Sequence, residues 1–254
     1  MKYILILLVT LLIYSVFIEP NILTVKKLEL KDEGLKGLKV VYATDFHVKP
    51  YEEFRLKRIV QKINEQNPDI ILLGGDYVNG HTKGFSLKNS TIAEDLSKLH
   101  SKYGTVAVMG NHDGWQGKKD IIEAFEANGI TVLENEHKDF GKFVIAGVED
   151  LQTATPDVQK ALANVDDKKP VILLTHNPDI IKSVPKKVNL TLAGHLHGGQ
   201  VVLGKPLIVP SKYGTKYAYN YFGVEKLFVS RGLGTSILPV RFNALPEIVV
   251  VEFE

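Results

Sequence analysis

The sequence has no cysteine, so disulfides, thiolate metal ligands and a cysteine nucleophile are all excluded. Any metal ion must therefore be held by histidine, aspartate, glutamate, asparagine or water. The chain also lacks a strong charge of either sign. Its 31 Lys and Arg residues against 29 Asp and Glu leave a formal net charge of +2, and we expect no nucleic-acid partner. It has no internal repeat, and its 254 residues are enough for one sizeable globular domain.

A long hydrophobic run opens the chain, because Tyr3 to Ile18 is almost wholly apolar and carries no charge. The run is slightly shorter than the roughly 20 residues that span a bilayer, and it fits either a signal peptide or a short signal anchor. No Ala-x-Ala-like cleavage site follows it. We therefore predict that residues 1–20 are an uncleaved single-pass anchor in the cell (inner) membrane, with a buried core helix or strand as the alternative. Lysines flank the run on both sides, so the sequence assigns no side of the membrane.

The rest of the chain is predicted to be a polar connector (residues 21–37) followed by one α/β domain (residues 38–254). Short apolar runs alternate with segments of helical spacing, bounded by Gly and Pro. The predicted strands are Leu38–Thr44, Asp69–Leu73, Thr105–Met109, Ile130–Leu133, Phe143–Val148, Val171–Leu174, Leu190–Ala193, Leu227–Ser230 and Ile248–Glu254. The predicted helices are Phe54–Gln66, Thr91–Leu99, Asp120–Asn128 and Pro156–Asn164.

Candidate metal ligands follow five of the predicted strands directly. In layered α/β folds, binding sites gather outside the carboxyl ends of the strands, so we expect these side chains to meet. Five such cases, drawn from eight histidines and a few carboxylates, are far more than chance would place there. The residues are Asp45 and His47, Asp76, Asn111 and His112, His176, and His195 and His197.

Oxygen and imidazole ligands without sulfur suit manganese, iron, zinc, cobalt or nickel, and manganese is our first expectation. There are too many ligands for one ion, so we predict two divalent metal ions. Two ions about 4 Å apart can bind the attacking and leaving oxygens of a phosphate ester and generate a hydroxide that attacks phosphorus. His112 follows Asn111 but lies on the opposite side of the backbone. It is predicted to hydrogen-bond a phosphoryl oxygen or to protonate the leaving group, with Asp113 orienting it.

The ligands stand in motifs that resemble the ordered motif series of the calcineurin-like metallophosphoesterases, over roughly Leu38 to the carboxyl terminus. The resemblance implies an αββα sandwich, in which two packed mixed β-sheets are flanked by helices. It implies that Asp45, His47 and His197 hold one metal ion, that Asn111, His176 and His195 hold the second, that Asp76 bridges them, and that His112 is the catalytic histidine. The motifs are Asp45-x-His47, Gly75-Asp76, Gly110-Asn111-His112-Asp113, Thr175-His176 and Gly194-His195-x-His197.

The sequence departs from the family pattern at Asn79, where an aspartate is often found three residues after the bridging one. The carboxyl-terminal third contains the segments Gly194–Gln200 (GHLHGGQ), Val209–Gly214, Ser230–Gly234 and Pro239–Asn243. These segments resemble a membrane-associated bacterial branch of the family that includes YaeI- and YkuE-like phosphodiesterases and a UDP-2,3-diacylglucosamine pyrophosphatase. This implies a phosphodiester or pyrophosphate substrate, with a lipid-linked one among the candidates. Arg231 and Arg241 are predicted to bind substrate phosphate through their guanidinium groups, with structural ion pairs or surface charge as the alternative.

Two other interpretations stay open at this stage. Within the enzyme class, the alternative is a phosphomonoesterase or protein phosphatase. Outside it, the alternative is a non-catalytic binding module on the same fold. Trp115 is predicted to be either a wall of the pocket or a surface residue, and His81, His100 and His137 are predicted to be ordinary histidines without a site role. The sequence predicts no oligomeric state.

Overall fold

The computed structural model describes every residue from Met1 to Glu254. Its helices are α1 (Lys2–Ile13), α2 (Glu53–Asn64), α3 (Asn89–Leu96), α4 (Asn111–Gln116), α5 (Lys118–Ala127) and α6 (Val158–Ala161). Its strands are β1 (Thr24–Leu30), β2 (Lys39–Ala43), β3 (Ile70–Leu73), β4 (Thr105–Ala107), β5 (Thr131–Val132), β6 (Glu136–Asp139), β7 (Val144–Gly147), β8 (Val171–Leu174), β9 (Leu190–Ala193), β10 (Val202–Leu203), β11 (Lys205–Pro206), β12 (Asn220–Phe222), β13 (Leu227–Val229) and β14 (Glu247–Phe253).

Two six-stranded mixed sheets form the centre of the domain. The first has the strand order β1-β14-β2-β3-β4-β5 and the second has the order β12-β13-β9-β8-β7-β6. Strands β2 to β5 run parallel to one another, as do β7, β8, β9 and β13. Because carboxyl ends of parallel strands share one edge of a sheet, the loops that follow these strands come together.

The alternation of side chains along each strand divides the core into layers. In β2, Val40 and Tyr42 belong to the cluster that joins the two sheets, together with Ile172 and Leu192 of the second sheet. Val41 and Ala43 belong instead to the cluster between the first sheet and helices α2, α3 and α5. A third cluster packs α6 on the outer face of the second sheet. The order of layers is helix, sheet, sheet, helix, and the predicted αββα sandwich is confirmed.

The segment predicted to be a connector contains a strand of the first sheet. Strand β1 pairs in parallel with β14 from Thr24–Glu247 to Leu30–Phe253. Its sequence, TVKKLEL, has three charged residues in seven and no fully buried one, as suits a strand at the edge of a sheet. The short helix α4 and strand β6 also lie where no element was predicted.

The carboxyl-terminal end of the amino-terminal helical segment is hydrogen-bonded to the domain. Helix α1 continues through single turns at Tyr14–Ile18 and Glu19–Asn21, and the whole segment Lys2–Asn21 has 20 residues. At 1.5 Å per residue it is about 30 Å long, and by length and composition it can cross a membrane. The Arg241 backbone N–H donates to the Ser15 carbonyl (2.9 Å), and the Ala244 N–H donates to the buried Glu19 carboxylate (2.7 Å).

Candidate metal centre

All seven predicted metal ligands are buried at the carboxyl-terminal edge of the two sheets. Asp45 and His47 follow β2, Asp76 follows β3, Asn111 begins α4 after β4, and the remaining histidines follow β8 and β9. Five of the seven adopt left-handed backbone conformations, which are uncommon for non-glycine residues but more frequent for Asp and His than for most. Their φ angles are 55° for Asp45, 44° for His47, 57° for Asp76, 71° for His195 and 50° for His197.

One group of ligands brings together Asp45, His47 and His197, whose potential ligand atoms all lie within 4.8 Å of one another. The Nε2 atoms of His47 and His197 are 3.0 Å apart. Two imidazole nitrogens bound at right angles to one ion, each at about 2.1 Å, would lie about 3 Å apart. The Asp45 carboxylate is 3.6 Å from His197 Nε2 and accepts the backbone N–H of His195.

A second group brings together Asp76, His176 and His195, with Asn111 beside it. The Nδ1 atom of His176 is 2.8 Å from the Gly74 carbonyl, which fixes Nδ1 as a donor. Its Nε2 atom faces two acceptors, Asn111 Oδ1 at 3.1 Å and Asp76 Oδ2 at 3.2 Å. A proton on Nε2 satisfies these contacts in the absence of metal, and a bound cation would take the place of that proton.

The protonation states of the other histidines also suit metal binding, because a histidine ligates through a neutral ring. Burial lowers the pKa of His47 and His197 well below the ordinary value and lowers that of His195 to about 4. The Nδ1 atoms of His47 and His197 are buried without a hydrogen-bond partner. His176 is different: burial opposes its charge, but Asp76 and Asp45 raise its pKa well above the ordinary value. The residues present therefore fit a divalent metal centre.

Asp76 lies between the two groups. Its Oδ2 atom is 3.5 Å from His47 Nε2 and 3.2 Å from His176 Nε2. Its other oxygen, Oδ1, accepts the backbone N–H of His112 at 2.8 Å. One oxygen thus faces ligands of both groups while the second is held by the backbone. If metal were bound at both groups, this one oxygen would be available to both.

The ring of His112 faces the cavity beside the two groups. The Gly80 backbone N–H donates to its Nδ1 atom at 2.8 Å, so the proton of the neutral ring is on Nε2. Burial lowers the pKa of His112 to about 4, which keeps the ring neutral near pH 7. Its Nε2–H is 3.4 Å from Ser236 Oγ and 3.9 Å from Asp76 Oδ2. It is a hydrogen-bond donor aimed at the space beside the ligands.

Asp113 does not orient His112, contrary to the prediction. Its Oδ2 accepts the backbone N–H groups of Asp76 and Gly110, and its Oδ1 accepts those of Tyr77 and Val78. The carboxylate therefore joins the loop after β3 to the loop after β4. Asp113 is a positioning residue for Asp76, and the Gly80 N–H performs the role expected of it at His112.

The two arginines predicted to bind substrate phosphate are engaged elsewhere. Arg241 is fully buried, and its guanidinium donates to the carbonyl oxygens of Arg231, Gly234 and Ala244. These bonds use four of its five N–H groups, and Arg241 is not among the residues that line the cavity beside the ligands, so the structure does not place it where a substrate phosphate would bind. Arg231 is partly exposed and donates through Nε and Nη2 to the buried Glu247 carboxylate (2.9 and 2.6 Å). Arg231 therefore forms a structural ion pair, which is the alternative that the sequence left open.

A cavity of about 150 Å³ opens beside the ligands, and the structure adds residues to it that sequence reasoning missed. The His81 ring stands edge-on to His112, with 4.5 Å between centroids, so His81 is not an ordinary histidine as predicted. Gln152 Nε2 is 3.1 Å from His195 Nε2. Gln200 exchanges two hydrogen bonds with the backbone of Ser236. Trp115 is both a wall of the cavity and half-exposed. Gln200 ends the Gly194–Gln200 motif and Trp115 was predicted as a possible wall, but His81 and Gln152 stand in no motif, so no sequence signal marked these two.

The fold and the site together define a metal-binding protein of the αββα class. The family model described as calcineurin-like phosphoesterase matches residues 38–199. The chain belongs to this family, whose members use divalent metal ions, and it is a metal-dependent phosphoesterase.

Three relatives show how far the similarity extends. The uncharacterised metallophosphoesterase YkuE of Bacillus subtilis is 34% identical over 93% of this chain and 87% of its own. The phosphodiesterase YaeI of Escherichia coli is 32% identical over 84% of this chain and 81% of its own. A zebrafish transmembrane protein with a metallophosphoesterase domain is 27% identical over 90% of this chain and 56% of its own.

Proposed function

We propose that the protein is a membrane-anchored phosphodiesterase that uses two divalent metal ions, with manganese as the first candidate. In this proposal Asp76 bridges the two ions and His112 is the catalytic histidine. The first ion is held by Asp45, His47 and His197, and the second by Asn111, His176 and His195.

The observation that supports the proposal best is the convergence of buried side-chain atoms that can all ligate a metal ion. His176 Nε2 faces Asn111 Oδ1 and Asp76 Oδ2 at 3.1–3.2 Å, and the His47 and His197 Nε2 atoms face each other at 3.0 Å. Without metal, protons on the imidazole nitrogens can satisfy these contacts, and a bound divalent cation would take the place of those protons. Two such clusters that share one carboxylate favour two ions over one.

When bound, two divalent ions supply Lewis acids for the phosphoryl oxygens and an activated water as nucleophile. The neutral His112 ring donates its Nε2–H to a phosphoryl oxygen or to the leaving-group oxygen. The Gly80 N–H holds that tautomer, and the Trp115 indole, 4.8 Å from the His112 ring, limits its movement. Gln152 and His81 are placed at the cavity wall, where they can contact the substituents on phosphorus.

We further propose that the substrate is a phosphodiester or pyrophosphate attached to a lipid, of which a UDP-2,3-diacylglucosamine-like compound is one form. The similarity to a protein named phosphodiesterase YaeI supports the diester class. The apolar residues Leu196, Ile208 and Ile237 in the cavity lining, and an amino-terminal helix able to cross a membrane, support the lipid. We propose a single-pass anchor at residues 1–20 in the cell (inner) membrane.

The test is hydrolysis of bis-p-nitrophenyl phosphate and of p-nitrophenyl phosphate by the full chain in detergent micelles. The full chain is needed because Ser15 and Glu19 hydrogen-bond to the segment Arg241–Ala244. The protein is stripped of metal, and Mn²⁺, Fe²⁺, Zn²⁺, Co²⁺ or Ni²⁺ is added back while bound metal is counted by mass spectrometry. His112→Ala is the variant, and His100→Ala, at an exposed histidine outside the site, is the matched control.

We expect two ions per chain, metal-dependent diester turnover above monoester turnover, and loss of that turnover in His112→Ala but not in His100→Ala. Faster monoester than diester turnover would favour a phosphomonoesterase or protein phosphatase. Two bound ions without turnover of either ester would favour a binding module. One ion per chain would contradict the binuclear site.

A further inference from the structure

Large apolar side chains are exposed around the mouth of the active-site cavity. Ile237 (73% exposed) and Ile208 line the cavity itself. Leu203 (61% exposed) and Leu207 extend from the β10–β11 hairpin, and Leu238 follows Ile237. Single exposed leucines are ordinary, but a cluster at a cavity mouth marks an interaction surface. We call residues 201–208 and 235–239 the mouth rim.

The mouth rim is hydrogen-bonded to the end of the amino-terminal helical segment. In the hairpin, Val202 N–H donates to the Phe242 carbonyl (2.9 Å), and Phe242 N–H donates to the Gln200 carbonyl (2.8 Å). One residue earlier, the Arg241 N–H donates to the Ser15 carbonyl. The helix end, the segment Arg241–Ala244 and the hairpin are therefore one connected unit. Thr235 and Pro239 also line a groove shared with Val16 and Pro20.

The mouth rim itself contains one charged residue, Lys205, and no acidic residue. Residues 201–216 contain three lysines and no acidic residue, and of these lysines Lys216 is paired with Glu225 whereas Lys205 and Lys212 form no ion pair. Lys205, at the turn of the hairpin between Leu203 and Leu207, is exposed, as is Lys212. Exposed apolar side chains beside unpaired lysines are typical of surfaces that enter the headgroup region of a membrane.

We infer that the mouth rim contacts the surface of the lipid bilayer, so that the cavity opens at the level of the headgroups. The inference rests on the proposed membrane anchorage, because the helix end fixes where the rim lies. Helix α1 has no buried residue, and its apolar surface ends at the segment that carries the rim. A bilayer that surrounds the helix therefore meets the rim as well. A lipid-borne phosphate ester can then reach His112 without leaving the membrane.

The chain offers a clean labelling experiment because it has no cysteine. Single variants Leu203→Cys and Ile237→Cys are labelled with the environment-sensitive fluorophore NBD. The matched control is Val224→Cys, which is 96% exposed and precedes β13, at the sheet edge opposite the metal centre. Leu8→Cys in α1 reports insertion of the helix. The full-length variants are reconstituted in vesicles of phosphatidylethanolamine and phosphatidylglycerol.

Two quenchers are compared, spin-labelled lipid and aqueous iodide. Insertion of about 5–10 Å into the headgroup boundary should reduce iodide quenching at Leu203 and Ile237 roughly threefold relative to Val224. Spin-labelled lipid should quench these two labels and leave the Val224 label unaffected. Iodide quenching equal to that at Val224 would overturn the inference. Protection from both quenchers would mean that protein covers the labels, and this result would also overturn the inference.

The readout separates this inference from the proposed function. Quenching needs no turnover, so the same result is expected in the His112→Ala background. If the Leu8 label is not quenched by lipid, the anchor and the rim contact are both wrong, whatever the hydrolysis assay gives. If Leu8 is quenched and Ile237 is not, the anchor stands and the rim contact is refuted.

Discussion

Arg241 provides the sharpest test of how the site is built, because sequence and structure give it different roles. Its guanidinium is buried and donates to three backbone carbonyls, those of Arg231, Gly234 and Ala244. Burial lowers its pKa, to about 10, so the group stays charged near pH 7. We predict that Arg241→Met destabilises the fold, and that any loss of activity follows from that.

The magnitude follows from the carbonyls left behind. Each buried acceptor that loses its partner costs about 1–3 kcal/mol, so three of them cost roughly 3–9 kcal/mol. That is a large part of the ~5–15 kcal/mol that stabilises a typical domain. Gly232 and Gly234 lie against Asp45 and His47, so loosening this segment also loosens the first ligand group. Arg241→Lys should fall between wild type and Arg241→Met, because one ammonium group cannot reach three carbonyls.

The assay is urea unfolding of the full chain in detergent, followed by fluorescence of Trp115, the only tryptophan. We expect the midpoint of Arg241→Met to fall by about 1 M urea or more. Arg58→Met, at an exposed arginine on α2, is the control and should change stability by less than about 0.5 kcal/mol. A urea midpoint equal to that of the wild type, together with lost diester turnover, would refute this reasoning and indicate that Arg241 binds the substrate.

Three further predictions concern the metal centre. His112→Ala should lower kcat for the diester by about 10²–10³-fold, the usual cost of one donor to a developing charge, with bound metal unchanged by mass spectrometry; wild-type turnover would contradict this. Asp113→Asn should lower the free energy of unfolding by about 3 kcal/mol or more, because two charge-assisted hydrogen bonds are lost; an unchanged melting temperature would show that the loops hold without it. Gly75→Ala should destabilise by more than about 1–2 kcal/mol, because Gly75 has φ +94° and a Cβ there would lie 2.5 Å from the Gly110 nitrogen. Gly84→Ala, with φ +74° and nothing within 4 Å, isolates the conformational part, and equal melting temperatures of the two variants would contradict the packing argument.

The sequence predicted the buried strands well and the edge of the sheet poorly, for one physical reason. Strands β3, β8 and β9 are buried on both faces and form short, continuous apolar runs. Strand β1 is half-exposed and carries three charged residues in seven. Its composition therefore did not predict a strand that pairs with β14. Helix α4 begins inside the metal loop and contains Gly114, which hid it from helix propensity.

For the site, the ligand types and their order along the chain could be predicted, but not what holds them. His176, His195 and His197 stand in motifs because the chemistry restricts their residue type. The role of Asp113 depends on backbone N–H groups more than 30 residues away, which no local pattern encodes. The same holds for His81, whose contact with His112 exists only in the folded chain.

The left-handed conformations of Asp45, His47, Asp76, His195 and His197 set a limit on how stable the metal-free protein can be. At up to about 1 kcal/mol each, and less for the two aspartates, these residues together cost at most a few kcal/mol, an appreciable part of the ~5–15 kcal/mol that stabilises a typical domain. The protein therefore trades stability for a ligand shell that is already in place when metal arrives. Replacing one ligand, as in His47→Ala, should weaken metal affinity, so that added metal should raise the melting temperature of the wild type more than that of the variant. Loss of metal would then expose the protein to unfolding as well as inactivation.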